Sequence, residues 1–278
     1  MQTTGESRAA ATRAGLVAVN GAQLYHEVRG GGPPVLLIAG GTGDGGQFAR
    51  VAELLASDFT VVTYDRRGNS RSPRPDGWRT TSADEQADDA AGLLDALGLS
   101  PAAVFGTSHG AIIGLNLLLR HPRAVRGAIL HDPTMLAVLE HPGEVLAAMQ
   151  PVIEGGMARG GPRGAVEDFM RFAAGAATFD GLEPALRERM LGNGETLFGI
   201  EFGQVDAYRP DDATLAAAQR PVRVVAGEES PPFMAEAARW LAARLGTEVR
   251  MLPGGHMPYL DRPEATAAAL RPLLRDVS

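Results

Sequence analysis

The stretch AVFGTSHGAIIGLNL, residues Ala103–Leu117, decides the fold of this chain. An apolar run stops at Gly106, a serine follows at Ser108, a second glycine stands at Gly110, and apolar residues then recur at helical spacing. This order predicts a strand, a sharp turn and a helix, with the serine at the apex of the turn. The residues two before and two after such a serine must be small, because larger side chains would collide across the turn. The alternative interpretation is a serine in an ordinary glycine turn, since the G-x-S-x-G string is weak evidence without its flanking strand and helix.

Short apolar runs on either side of this stretch alternate with segments of helical spacing. Continuous apolar runs are typical of strands that are buried on both faces of a parallel sheet. Besides the central strand and helix, strands are predicted at Leu16–Asn20, Gln23–Val28, Pro34–Ala39, Phe59–Tyr64, Val125–His131, Val222–Ala226 and Glu248–Leu252, and helices at Gln47–Leu55, from Ser82 to about Leu97, at Pro232–Leu245 and at Pro263–Leu274. The alternation predicts an α/β protein with a mostly parallel eight-stranded sheet and helices on both faces.

The alternation lapses after the sixth strand, where the sequence is helical in character and interrupted by glycines. We therefore predict a disordered tail and then a core in two parts, with a helical cap inserted between the two parts. The predicted limits are 133–219 for the cap, 15–132 and 220–278 for the core, and 1–14 for the tail.

Five of the nine phenylalanines fall in the predicted cap. One interpretation is that these rings form the small core of the cap itself. The other is that some of them line an apolar pocket over the carboxyl edge of the sheet. Both can hold for different rings. The candidate pocket residues are Thr42, Phe169, Phe172, Phe198, Phe202 and Met257.

Composition excludes several classes of chemistry. The chain has no cysteine, and because all 26 basic residues are arginine it has no lysine. Thiol nucleophiles, disulfides and lysine Schiff bases are therefore impossible. The net charge is -7, and the charged residues are spread along the chain without forming a basic face, so we expect no nucleic-acid partner. No apolar run reaches the roughly 18 residues of a membrane span, and the first residues lack an apolar signal region, so we expect no membrane association and a cytoplasmic location.

Four features fall at the carboxyl ends of the predicted strands, where open parallel sheets bind their ligands. They are Ser108, the glycine loop Gly40–Gly43, Asp132 at the end of the sixth strand, and His256 after Gly254-Gly255. Their order along the chain, nucleophile then acid then histidine, is the one expected for a catalytic serine on this architecture. No histidine spacing fits a metal site, so we expect neither metal nor cofactor, and the sequence makes no prediction of oligomeric state.

Four segments resemble the α/β-hydrolase superfamily over essentially the whole chain from about Leu16. They are GTSHG, IAGGTG, the segment YDRRGNSRS (Tyr64–Ser72), in which Asp65 begins a D-x-R-G-x-x-x-S turn, and PGGHMPYLDRPE (Pro253–Glu264). The loop AGGTGDGGQF and the pair His131-Asp132 also resemble the lactone-hydrolysing branch that opens zearalenone. The resemblance implies a cofactor-independent serine hydrolase that acts on a small carboxylic ester or lactone.

The chemistry of such a hydrolase assigns a role to each feature. Ser108 is the expected nucleophile, and because a serine hydroxyl is a poor nucleophile it needs His256 as its base. A buried carboxylate would orient that histidine and stabilise its cation. The backbone N–H groups of Gly41 and His109 would bind the oxyanion.

The acid is the least determined residue of this set. The superfamily usually places it at the fourth position of a G-x-x-D after the seventh strand, and here that position holds Ser230. Asp132 is the preferred acid, and Glu229 or Glu228 is the alternative. Because Pro133 follows it, Asp132 could instead cap the first helix of the cap, and the two glutamates could be solvated loop charges.

The remaining histidines are expected to stay outside the reaction. The side chain of His109 should point away from His256 and either pack or line the pocket. His131 precedes Asp132 on a strand, so the two side chains should face opposite ways.

Other functions fit some of the same motifs. Gly41–Gly46 fits the G-x-G-x-x-G fingerprint of a dinucleotide fold, with Asp65 as the ribose acid and Arg66 or Arg67 as a partner for a 2′-phosphate. However, two strands precede the strand that leads into this loop, whereas a dinucleotide fold would normally start with that strand. The dinucleotide interpretation also leaves GTSHG and GGH without a role. Within the hydrolase fold, a C–C bond hydrolase, a lyase or a non-catalytic binding protein remain alternatives to an esterase.

Overall fold

The computed structural model describes residues 12–278, apart from the side chains of residues 204–206. The strands are β1 Arg13–Val19, β2 Ala22–Arg29, β3 Pro34–Ile38, β4 Thr60–Tyr64, β5 Ala102–Thr107, β6 Val125–His131, β7 Val222–Gly227 and β8 Val249–Leu252. They form one sheet in the order β1-β2-β4-β3-β5-β6-β7-β8. β2 runs antiparallel to both of its neighbours, β1 and β4, and all the pairs from β4 to β8 along this order are parallel. The predicted eight-stranded, mostly parallel sheet is confirmed.

The helices are α1 Ala49–Leu55, α2 Ala83–Ala96, α3 His109–Arg120, α4 Pro142–Ala174, α5 Ala176–Asp180, α6 Pro184–Gly192, α7 Gly194–Thr196, α8 Phe202–Ala207, α9 Asp212–Ala216, α10 Pro232–Arg244, α11 Pro258–Asp261 and α12 Pro263–Asp276. Tight 3-10 turns at Gly45–Phe48 and Leu136–Val138 and a π-helical turn at Leu197–Glu201 join them. No helix in the described chain is long and apolar enough to cross a membrane.

Residues of the central strands pack alternately into two hydrophobic clusters, one on each face of the sheet. In β3, Leu36 and Ile38 join the cluster that contains α2, α3 and α10, whereas Val35 and Leu37 join the cluster that contains α1 and α12. Successive side chains of a strand point to opposite faces, so a strand covered on both sides needs apolar residues at every position. This is why the strands appear in the sequence as continuous apolar runs.

The first strand begins earlier than predicted. Arg13 and Ala14 pair with Val28 and Glu27 of the neighbouring strand β2, so the predicted tail is wrong at its last two residues. Ladder hydrogen bonds to β2 hold these two residues in the sheet although their side chains are exposed. The prediction for residues 1–11 lies outside the described residues.

The described connection between β6 and β7 is helical, as predicted for the cap. Its longest element, α4, is broken at Gly160 and Gly161, where the backbone leaves helical geometry and the chain doubles back. The two arms touch at Gly156 and Gly164, since a Cβ on either glycine would overlap the carbonyl oxygen of the other. The arms therefore form a tight hairpin, and both contribute side chains, Met149 from the first and Phe169 from the second, to the cavity at the carboxyl edge of the sheet.

Candidate active site

Ser108 stands at the apex of the turn between β5 and α3, with φ 56° and ψ -126°. A non-glycine residue at positive φ is strained, so surrounding contacts must hold it there. A Cβ on Gly106 would overlap the carbonyl oxygen of Gly110, and a Cβ on Gly110 would overlap that of Ile38. The strand–turn–helix predicted from the glycine spacing is therefore present, and both glycines are required by close backbone contact.

The glycine loop after β3 packs directly against this serine. A Cβ on Gly40 would lie 2.7 Å from Ser108 Cβ, whereas a Cβ on Gly41 would meet only ordinary contacts, 3.6 Å from Phe169 and farther from other atoms. The strict need for glycine thus falls on Gly40 rather than on Gly41. Within the described chain, the backbone N–H groups of Gly41 and His109 donate to no protein acceptor. Both are therefore free to bind an oxygen of a ligand.

Asp132 and His256 are joined by a buried hydrogen bond. His256 Nδ1 lies 3.0 Å from Asp132 Oδ2. Asp132 is fully buried, and its φ of 44° turns the carboxylate away from the line of β6. It also accepts hydrogen bonds from Ser230 Oγ at 2.5 Å and from the Gly227 N–H at 3.1 Å. Burial raises the pKa of Asp132, but His131, His256 and these hydrogen bonds more than offset it, so the pKa stays below its usual value.

The two alternative acids are placed elsewhere. Glu228 and Glu229 are exposed, and Glu229 pairs with Arg262 at 2.7 and 2.9 Å. Neither glutamate hydrogen-bonds to His256 in the described structure, and the partner of that histidine is Asp132, the acid that the sequence analysis preferred. Ser230, at the usual position of the acid, donates to Asp132 instead. No helix begins at Asp132, so the alternative capping role for that residue is also wrong.

Ser108 Oγ hydrogen-bonds to Thr134 Oγ1 at 2.8 Å. In the described structure no hydrogen bond joins this hydroxyl to His256, although both residues line one cavity. Because Nδ1 of His256 is engaged by Asp132, Nε2 is the ring nitrogen left to face the cavity. Thr134 was not foreseen from the sequence, where no motif marks it.

The position of His131 shows that one expectation from the sequence, that its side chain and that of Asp132 face opposite ways, is wrong. Its Nε2 lies 3.5 Å from Asp132 Oδ2 rather than on the opposite face, because the left-handed backbone at Asp132 turns that side chain back. Its Nδ1 hydrogen-bonds to Thr107 Oγ1 at 2.9 Å, and its ring stacks near that of His256. Burial lowers the pKa of His131 to about 4, so the ring is neutral at pH 7 and makes no ion pair with Asp132.

A mostly apolar cavity lies between the serine and the cap, with a volume of about 630 Å³ that includes its opening to solvent. Its polar wall contains Ser108, His109, Thr134, Glu201 and His256. The apolar wall consists of Leu136, Met149, Phe169, Met170, Ala173, Leu197, Phe202, Met257 and Tyr259.

The predicted pocket residues separate into two groups. Phe169, Phe202 and Met257 line the cavity as expected. Phe198 packs behind it, with its ring centroid 6.0 Å from that of Phe169 and 5.6 Å from that of Phe202. The predictions that Phe172 and Thr42 line the pocket are wrong. Phe172 is 46% exposed, and Thr42 is buried and accepts a hydrogen bond from Gln47.

The side chain of His109 lines the cavity, and its Nδ1 has no hydrogen-bond partner in the described chain. Burial, together with the charge of Arg66, lowers its pKa to about 4. Next to it, Glu201 is completely buried. Burial raises the pKa of Glu201, but the charge and hydrogen bonds of Arg66 outweigh that effect and keep the pKa below its usual value. The site thus has a neutral imidazole beside an ionised buried pair.

The dinucleotide interpretation is wrong. Asp65 is fully buried and accepts hydrogen bonds from Arg71 and from the Gly45 N–H, so its carboxylate is closed to a ribose. Arg66 and Arg67 are likewise engaged by buried carboxylates. The residues that resemble a cofactor fingerprint therefore serve the packing of the loops at the site.

A strained serine, a buried histidine–carboxylate pair and free backbone amides meet at the carboxyl edge of this sheet. A family model of the alpha/beta hydrolase fold matches residues 33–263. The chain belongs to the α/β-hydrolase family and is a hydrolase. The fold class and the resemblance predicted from the sequence are confirmed.

Individual relatives are similar over nearly their whole length. The chain is 34% identical over 252 residues to the uncharacterized hydrolase YraK of Bacillus subtilis (strain 168), covering 88% of this chain and 90% of that protein. It is 27% identical over 260 residues to a zearalenone hydrolase of Bionectria ochroleuca, covering 92% and 95%. A solved thermophilic esterase from Thermogutta terrifontis shares the fold with a TM-score of 0.73 and 26% identity, covering 95% and 99%. The likeness to the zearalenone-hydrolase branch is thus confirmed, and the structural neighbours include esterases.

Proposed function

We propose that the chain is a cofactor-independent serine hydrolase that cleaves a carboxylic ester or a lactone through an acyl-enzyme. The observation that carries this proposal is the buried 3.0 Å hydrogen bond between His256 and Asp132, which faces the same cavity as the strained Ser108. A serine hydrolase needs a nucleophile, a base beside it and an acid that orients the base.

In the proposed reaction the Ser108 hydroxyl turns from Thr134 toward Nε2 of His256. Oγ attacks the carbonyl carbon of the substrate while Nε2 takes the hydroxyl proton. Asp132 keeps the other proton of the ring on Nδ1 and stabilises the imidazolium that forms. The imidazolium then returns its proton to the leaving alkoxide, and water removes the acyl group by the same sequence of steps.

The free N–H groups of Gly41 and His109 bind the oxyanion in this proposal. Each such donor typically stabilises the tetrahedral intermediate by ~3 kcal/mol. The His109 N–H lies at the start of α3, where the helix dipole adds a further favourable field for negative charge.

The apolar lining of the cavity and the activities named for similar proteins both support an ester or lactone substrate. The largely apolar wall suits a moderately apolar acyl group or ring. The esterase and the zearalenone hydrolase among the similar proteins favour ester-type cleavage over a C–C hydrolase or a lyase. A non-catalytic binding protein would have no need of the complete set of nucleophile, base, acid and free amides.

The proposal is tested with Ser108→Ala and a fluorophosphonate probe, which phosphonylates an activated serine with loss of fluoride. We expect the wild-type chain to be labelled and Ser108→Ala to be neither labelled nor active on p-nitrophenyl esters, because the nucleophile is missing. Ser57→Ala changes an exposed serine that does not line the cavity and serves as the control. Labelling or turnover that persists in folded Ser108→Ala would refute the proposed function.

A further inference from the structure

Beneath the glycine loop lies a buried ion pair that the proposed reaction does not use. The side chains of Arg66 and Glu201 are 1% and 0% exposed. Arg66 Nη1 donates to Glu201 Oε1 at 2.6 Å, and Nη2 donates to Oε2 at 2.8 Å. Arg66 follows β4 in the core, whereas Glu201 ends the π-helical turn of the cap. The pair therefore joins the two parts of the molecule.

Arg66 also binds the backbone of the glycine loop. Its Nη2 donates to the carbonyl oxygen of Gly40 at 2.8 Å, and its Nε donates to that of Ala39 at 3.1 Å. The Gly40 carbonyl and the Gly41 N–H belong to one planar peptide group and point in opposite directions. A charged donor fixed on the Gly40 oxygen therefore fixes the direction of the Gly41 N–H. It also polarises that N–H, because hydrogen bonds on the two sides of one peptide strengthen each other.

The loop needs such external support. Thr42 has φ 65°, a conformation that is strained for a residue other than glycine and persists only where the surroundings specify it. Within the loop itself, the Gly43 N–H donates to the Gly40 oxygen at 3.2 Å. The cap supplies further ties, since Asn193 donates to the Thr42 oxygen and Arg189 donates to Asp44.

Stability alone does not account for the pair. Two charges taken out of water lose solvation, and replacing a buried ion pair with apolar side chains is often neutral or stabilising. A pair with such a cost and with direct contact to the loop of the site indicates a functional reason for its presence.

We propose that Arg66, held in place by Glu201, is a positioning residue that orients the Gly41 N–H toward the oxyanion. Because Glu201 belongs to the cap, the oxyanion site is complete only when the cap is seated on the core. This inference rests on the proposed serine-hydrolase function, and it adds a residue of the cap to the machinery that sets the rate.

The chain contains a matched control. Arg67, the next residue, forms a second buried ion pair with Asp89, at 2.6 and 2.8 Å and with side-chain exposures of 6% and 3%. Its remaining backbone contact is the carbonyl oxygen of Asn20, not the glycine loop. Asp89→Asn therefore removes the same kind of interaction without touching the oxyanion site.

The experiment compares Glu201→Gln with Asp89→Asn on a p-nitrophenyl ester. We expect Glu201→Gln to lower kcat by about tenfold or more with little change in KM, because transition-state binding rather than ground-state binding is lost. The affinity for a trifluoromethyl ketone, which forms a tetrahedral oxyanion on the serine, should fall by the same factor as kcat/KM. Asp89→Asn should lower Tm but keep kcat within about twofold of wild type.

A second variant separates positioning from folding. In Arg66→Met/Glu201→Met the charges are replaced by apolar side chains, so we expect the fold to be retained while the donor to Gly40 is missing. This protein should be folded and still low in kcat. The inference is overturned if Glu201→Gln keeps wild-type kcat and ketone affinity, or if Asp89→Asn loses kcat as strongly. Fluorophosphonate labelling of Ser108 tests the proposed function separately, so the two failures are distinguishable.

Discussion

At the scale of single residues, the backbone conformation of Asp132 decides which side chain its carboxylate meets. Its φ of 44° turns the carboxylate from the end of β6 toward His256. Two further donors, Ser230 and the Gly227 N–H, hold both carboxylate oxygens in place. An acid fixed in this way can orient an imidazole without becoming protonated itself.

The first prediction at this scale concerns the acid. Asp132→Asn should lower kcat by about a thousandfold or more, because an amide cannot stabilise the imidazolium and misorients the ring. Glu229→Gln, which alters the exposed ion pair with Arg262, should leave kcat unchanged. Steady-state kinetics on one ester measures both. Near-wild-type kcat in Asp132→Asn would contradict the assignment.

At the scale of elements, the helical hairpin α4 contributes four of the nine apolar side chains that line the cavity. Phe169 on its second arm meets Phe198 and Phe202 edge to face, with ring centroids 6.0 Å apart in both pairs. Such contacts stabilise the arrangement beyond simple burial. The three rings thus combine the two interpretations left open by the sequence, since Phe198 packs within the cap and the other two face the cavity.

Phe169→Ala is predicted to weaken the binding of apolar substrates. We expect KM to rise by roughly tenfold for p-nitrophenyl esters with longer acyl chains and less for the acetate, because a buried apolar contact of about 1–2 kcal/mol is lost. Phe172→Ala, three residues along the same helix and 46% exposed, is the matched control and should leave KM unchanged.

A graded series of esters, with small and macrocyclic lactones beside it, provides the measurement. Equal effects of the two substitutions, or an effect of Phe169→Ala that does not grow with chain length, would argue against a role of this wall in binding the substrate.

At the scale of the whole molecule, buried neutral histidines couple stability to pH. Burial lowers the pKa of both His109 and His131 from 6.5 to about 4. Between these values the unfolded chain binds a proton at each position and the folded chain does not. The contribution of these two neutral rings to the free energy of unfolding is therefore fully present above about pH 6.5. It falls as the pH drops toward 4, by at most about 1.4 kcal/mol per pH unit for each histidine. Asp132 and Glu201, whose pKa values lie below 3.8 and 4.5, add their own loss only at lower pH.

The prediction is that His131→Gln reduces the dependence of unfolding free energy on pH between 4.5 and 6.5. Urea unfolding at several pH values in this range measures the slope, which does not depend on the absolute stability of the variant. His141→Gln changes a side chain that is 67% exposed and should leave the slope as it is in the wild type. An unchanged slope in His131→Gln would mean that this ring is protonated in the folded chain.

The sequence by itself determined the order of the strands and of the core helices along the chain, the turn at Ser108, and most of the residues that meet at the carboxyl edge of the sheet, Thr134 excepted. These features are encoded locally, because a strand buried on both faces needs a continuous apolar run and a tight turn needs glycines at fixed spacing. His256 was found in the same way, from its position after the last strand. The expectation that His131 and Asp132 face apart failed because strand periodicity does not apply once a residue leaves strand geometry.

Only the tertiary structure decided which carboxylate meets His256, which rings face the cavity, and that a cap residue supports the glycine loop. Asp132 and His256 are 124 residues apart, and Arg66 and Glu201 are 135 residues apart. Such contacts depend on the left-handed backbone at one position and on the path of the cap across the core. Periodicity and motif spacing describe neighbours along the chain, so they carry no record of a contact that exists only after two distant segments have packed together.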